Sequence, residues 1–191
     1  MKRLLGAAAL VLVLAGCSTA SPAAEQPAAT TATFPVTVTH SLGSTTVPAA
    51  PTRVVTLGPS DADAVLALGV VPVAIHSRYG FERGVGPWAE AKIGTATPAV
   101  TGGRELSYEA IAAARPDLIV NVASGGDRTE YDTLSRIAPT IALPAGAQPY
   151  SPRWQDSTRL IAQALGKQAD GDRLVADTEA YLQRTAAGNP A

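Results

Sequence analysis

The chain has a single cysteine, only two histidines and a formal net charge of -1. Each scarcity excludes something. A lone cysteine, Cys17, cannot close an intrachain disulfide. His40 and His76 stand in different segments, which excludes a metal centre built from several histidines but not one of His76 with carboxylates. No basic stripe follows any helical stretch, which argues against nucleic acid as a partner. A Gly-x-Ser-x-Gly elbow, a phosphate loop and a dinucleotide fingerprint are all lacking. No nucleophile–base pair is visible, so the reading is a binding protein rather than an enzyme, with no catalytic residue and no metal ligand named. Aromatic residues make up 5% of the chain, so any place where they gather carries weight.

What is present begins with an address. Lys2 and Arg3 precede an apolar run, Leu4 to Leu14, too short to span a bilayer comfortably and closed by small residues. That is the grammar of a secretory signal peptide. Leu14-Ala15-Gly16-Cys17 resembles a bacterial lipobox. The resemblance implies removal of residues 1–16, a lipid on Cys17 and an anchor on the outer face of the cell membrane. Residues 17–33 are mostly Ser, Thr, Ala and Pro without apolar periodicity, and read as a flexible tether.

From residue 34 the chain reads as a folded unit. Phe34 to Val47 alternates partly around a Ser41–Ser44 turn, which predicts a small hairpin, with His40 solvated in it. Val54–Leu57, Val70–Ile75, Leu118–Val122 and Thr140–Leu143 are short apolar runs without alternation, as expected of strands covered on both faces. Between them lie helical stretches with start and stop signals. Ser60 and Asp63 resemble a capping box, Asp61 and Asp63 suit a helix start, and Gly69 suits a helix end. Ser107 and Asp127 are further caps; Arg115 faces a helix end and Pro116 forbids continuation. Strand, helix, strand, helix with short links predicts an α/β fold, a parallel sheet with helices on both faces. Residues 34–150 form this lobe. Residues 151–191 are helical, with a first helix from Ser151–Pro152 and a second over about Ala169–Arg184.

Ligands of open α/β sheets bind at the carboxyl ends of the strands. Ser124-Gly125-Gly126 sits at such an end, either as a tight turn or as a place of close approach. His76 sits just past another, lining a site or hydrogen-bonded at the surface. The segment "HSRYGFERGVGPW" follows it and gathers Arg78, Tyr79, Phe81, Arg83 and Trp88. Arginines pair with oxyanions and aromatics stack on planar groups, so this segment suits a bulky anionic ligand. Arg78, Tyr79, Trp88, Ser124 and Trp154 are expected to border one face, with Ser60 nearby.

The stretches "RVVTLGPSDADAVLALGVVPVAI", "LSYEAIAAARPDLIV" and "YDTLSRIAPTIALP…WQDSTRLIAQALGK" resemble the amino-terminal half of iron–siderophore-binding lipoproteins of ABC importers, closest to the actinobacterial type. The likeness runs from Arg53 to about Arg184, in order. It implies one Rossmann-like lobe followed by a long connecting helix, a ferric siderophore as ligand and ABC permease subunits as partners. It also implies a second lobe starting after Pro190, which the sequence lacks. Cobalamin or haem binding, and a lobe that docks without capturing ligand, are the alternatives; Arg78, Arg83 and Arg104 lean towards an anionic chelate. The resembling family carries a permease-docking glutamate at the position of Glu109, which could otherwise serve only to start its helix.

Overall fold

A computed structural model describes residues 32–189. The leader, the lipobox with Cys17 and the tether up to residue 31 lie outside the described residues, as do residues 190–191. A hairpin of β1 (Val36–His40) and β2 (Gly43–Val47) comes first. The main sheet holds β3 (Val54–Thr56), β4 (Ala74–Ser77), β5 (Ala99–Gly102), β6 (Leu118–Val120) and β7 (Thr140–Ile141). Helices α1 (Asp61–Ala67), α2 (Pro87–Ile93), α3 (Tyr108–Ala113) and α4 (Arg128–Ser135) connect them; α5 (Trp154–Ala164) and α6 (Gln168–Gly188) follow. No helix among the described residues is long and apolar enough to cross a membrane.

The five strands are parallel in the order β5-β4-β3-β6-β7. The chain starts in the middle at β3, builds outward to β5, then returns to lay β6 on the other side of β3. The order therefore reverses between β3 and β6, where Val54, Val55 and Thr56 pair with Leu118, Ile119 and Val120. Alternation sends Val54, Leu118 and Val120 to one face, under α1, α5 and the hairpin. Val55 and Ile119 go to the other, under α3 and α4. Burial on both faces explains the unbroken apolar runs of β3 and β6, and each fully buried Val or Ile contributes about 1.5–3 kcal/mol.

The expected α/β lobe and its two terminal helices are present, with local differences. The second strand begins at Ala74 rather than Val70, because Val70 N–H still bonds to Val65 of the preceding helix. His76 therefore lies inside a strand, 3% exposed, and not beyond its end. Helix α2 and strand β5 have no counterpart in the sequence reading: β5 is an edge strand with no buried residue, so it carries no apolar pattern. Arg115 adopts a positive φ at the end of α3 and stays exposed. The carbonyls of Ala114 and Arg115 are met instead by the Arg53 guanidinium. Helix α5 starts at Trp154, after the Ser151–Pro152 turn.

Two buried groups differ more deeply from expectation. Ser60 makes no side-chain cap to α1. The neighbouring Asp61 does more than start the helix. Its buried carboxylate accepts from Gly58 N–H at 2.9 Å, Val122 N–H at 2.9 Å and Ala123 N–H at 3.0 Å. These donors lie just past β3 and just past β6, so the carboxylate ties the two strand ends across the point of reversal. Gly58 has to be glycine, since a Cβ there would lie 2.6 Å from Asp61 Oδ2.

His40 is buried in the hairpin rather than solvated. Leu42 N–H donates to its Nδ1 at 3.2 Å, so the ring proton sits on Nε2, which donates to Thr45 Oγ1 at 3.0 Å. Thr45 in turn donates to Thr140 O of β7 at 2.6 Å, linking hairpin to sheet. Burial, and then the charge of Arg128, hold the His40 pKa below its ordinary value of 6.5.

Two outcomes are expected. Asp61→Asn turns an acceptor into a donor facing a buried N–H and should cost about 2–3 kcal/mol in urea unfolding; an unchanged midpoint would show the tie to be dispensable. The lowered His40 pKa means that the unfolded chain takes up its proton first. Its stabilisation is full above 6.5 and is lost as pH falls through the lower folded-state value. His40→Gln should therefore be less stable than wild type near neutral pH, with the gap narrowing at about pH 5. A gap independent of pH would contradict the lowered pKa of His40.

Candidate ligand site

Two adjoining cavities open at the carboxyl ends of the strands. The first, about 360 Å³, lies over the reversal between β3 and β6 and is lined by Gly58, Arg78, Arg104, Asn121, Ser124 and Tyr150 among others. The second, about 700 Å³, is bordered by Ser60, Arg78, Tyr79, Trp88, Tyr150 and Trp154 with five further residues. Arg78, Ala123 and Tyr150 line both. The fold therefore brings all six expected residues to one end of the sheet, Ser124 in the first cavity and Ser60, Tyr79, Trp88 and Trp154 in the second, with Arg78 between.

Their settings differ. Ser124 is buried, and its Oγ accepts from Gly126 N–H at 3.4 Å. That contact makes the Ser124-Gly125-Gly126 loop a turn, and its first two residues also line the cavity. Arg78 is exposed, its guanidinium carbon 5.6 Å from the centre of the Tyr150 ring. Tyr150 is a site residue that the sequence reading does not single out. It holds a positive φ, its N–H donates to Ser124 O at 2.7 Å, and its ring packs on Gly125, where a Cβ would meet the hydroxyl at 2.8 Å. Only its aromatic character, in a chain with few aromatics, could draw attention to it.

The polar cavity carries mixed charge: Arg78 and Arg104 oppose Glu105 and Glu130. Glu130 accepts from Asn121 Nδ2 at 2.8 Å, which fixes both side chains and explains the one polar residue in the β6 run. Tyr108, on the same wall, has its pKa raised by burial and then by Glu130 and Asp127. His76 bonds through Nδ1 to Thr101 Oγ1 at 3.2 Å, while its buried Nε2 has no partner. Burial, and then Arg78, lower its pKa from the ordinary value of 6.5. Burial raises the Asp61 pKa to about 6, against the three backbone N–H donors that pull it down.

Arg83 does not join the site. Its guanidinium donates to Gly94 O at 2.9 Å and Ala96 O at 3.1 Å, closing the end of α2. Glu109 is exposed in the first turn of α3, with Ser107 Oγ at 3.4 Å from its Oε2, and lines neither cavity. Ser107 caps that helix through Ala110 N–H, so the helix start does not depend on Glu109.

The chain is 32% identical over 171 residues to a probable siderophore-binding lipoprotein, YfiY, of Bacillus subtilis, covering 87% of this chain and 49% of the relative. Among solved structures, a periplasmic solute binding protein of Mycobacterium smegmatis matches with a TM-score of 0.69 and 42% identity, over 74% of this chain and 50% of the other. Streptococcus pneumoniae PiaA in complex with ferrichrome matches with a TM-score of 0.70 and 33% identity, over 80% and 52%. The chain thus spans about half the length of the relatives it matches. The periplasmic binding protein family model matches residues 54–190, from β3 through α6, and the chain belongs to that family.

Proposed function

We propose that this lobe forms one wall of a site for a ferric siderophore and takes part in delivering the chelate to an ABC permease outside the cell membrane. The observation that carries the reading is the convergence of Arg78 and Arg104 on the cavity over the strand reversal. A siderophore encloses its iron in oxygen ligands that keep partial negative charge. An arginine fork pairs with two such oxygens at once. The iron is cargo. Among the described residues no group of three His, Cys, Asp or Glu side chains is placed to hold a metal ion. Recognition therefore falls on the chelator's outer atoms. Binding of this kind is capture and release and requires no catalytic group.

Ferric chelates that enter the site should quench tryptophan emission, since Trp88 and Trp154 border it. Ferrichrome and ferric citrate are suitable first probes. Arg78→Ala should weaken binding about tenfold or more, and Arg78→Lys should restore only part of it. No quenching by any ferric chelate at high concentration would overturn the reading.

Glu109 is the proposed permease contact. It is exposed on the first turn of α3 while Ser107 provides the cap, so its charge is free to face a partner. A rim charge steers docking more than it adds affinity. Carried into a full-length homologue at the matching position, Glu109→Gln should leave chelate affinity unchanged. It should weaken permease association several-fold, most at low ionic strength. Equal association at every ionic strength would remove Glu109 from the interface.

A further inference from the structure

Trp88 is 70% exposed, yet three contacts fix it. Its Nε1–H donates to Asp63 Oδ1 at 3.2 Å. Its ring meets Phe81 edge to face, 5.7 Å between centroids at 86°, and Phe81 meets Tyr79 in the same way at 6.3 Å and 60°. The indole also lies over Gly86, where any Cβ would collide with the ring. Exposed aromatics normally lose rotamer freedom when something binds them. Here the hydrogen bond, the neighbouring ring and the bare backbone have already removed that freedom. What remains is a preformed, planar stacking surface.

Its position narrows what would stack there. A cavity of about 290 Å³ lies beside it, walled by Pro59, Phe81 and Val85, and Arg78 lines this cavity as well as the two described above. An arginine facing the polar cavity and an aromatic surface facing the apolar one are therefore contiguous. A ligand that used both would carry anionic oxygens and a flat ring close together. An aliphatic arm would be served as well by Leu or Ile and would need no orientation of the indole. Resting on the siderophore reading above, we infer that the ligand is an aryl ferric chelate, of catecholate or phenolate type, with one ring stacked on Trp88 and its charged oxygens towards Arg78.

The test is calorimetric titration of the whole chain with two probes: the ferric complex of dihydroxybenzoylglycine, which has rings, and ferric citrate, which has none. The ring-bearing complex should bind about tenfold more tightly. Trp88→Leu should weaken the ring-bearing complex about tenfold more than ferric citrate and so abolish that preference; Trp88→Phe, which keeps a ring, should retain part of it. Equal affinities for the two probes, or a preference that survives Trp88→Leu, would overturn the inference and leave the siderophore reading standing. Binding of neither probe would overturn the inference, and the siderophore reading with it if ferrichrome also fails to quench tryptophan emission.

Discussion

At the reversal of the sheet, the Asp61 carboxylate accepts from the N–H groups of Gly58, Val122 and Ala123, and the rest of the lobe is arranged around that contact. Where β3 and β6 end, their chains depart in different directions and leave backbone donors without sheet partners. In open α/β folds such donors commonly meet a bound anion. In this lobe the protein supplies the anion itself. The backbone donors at the floor of the crevice are thereby used up, and under the proposed function a ligand is met higher up by side chains. That accounts for a rim built from Arg78, Arg104, Tyr150 and Trp88 rather than from backbone N–H groups.

The same contact shows how far the sequence can be read. β3 and β6 are legible because burial on both faces leaves an unbroken apolar run. The caps at Ser107 and Asp127 are legible because a cap is a local interaction, over within three residues. Asp61 looks like another helix-start acid, since its partners Val122 and Ala123 are remote in sequence. His40 looks solvated for the same reason: its burial depends on Thr45 and Thr140, brought together by the hairpin lying against β7. Arg83 draws attention as a cation near the site, but the turn after α2 consumes its donors. Local chemistry is readable, and long-range pairing is readable only where burial marks both partners.

Charge at the site follows from depth. Asp61 and His76 lie buried below the rim, and Arg78 and Arg104 stand exposed upon it. Burial and then Arg78 hold the His76 pKa below its ordinary value of 6.5, while Asp61, with its pKa at about 6, is mostly ionised at neutral pH. The negative charge is thus met at short range by three N–H dipoles, and the rim arginines share their cavity with Glu105 and Glu130. Glu130 is already engaged with Asn121. Among the described residues, neither arginine forms a salt bridge with these glutamates, and exposed pairs are worth little to stability in any case, so a change in the direction of Arg78 or Arg104 costs the fold little.

Rigidity does not simply follow burial. Gly171 of α6 approaches Ala162 of α5 so closely that a Cβ would overlap it, and Val175 is wholly buried one turn on. These contacts fix the start of α6 against α5, and α5 is in turn packed on α1 and the hairpin. Beyond Glu179, which accepts from Gln155 Nε2 of α5 at 3.1 Å, the helix leaves the lobe, with Tyr181 and Leu182 exposed at 62% and 50%. A continuous helix transmits its direction along its length. The outer turns are therefore aimed by the inner ones, without needing contacts of their own. The segment bearing Arg78 and Tyr79 has the reverse design. It is anchored at one end by β4 and further on by the Arg83 clamp, and between them exposes its side chains. Frame and aromatic rings are thus both held in place, the frame through backbone and core and the rings of Tyr79, Phe81 and Trp88 through one another, so little order is left to impose on this face when something binds it.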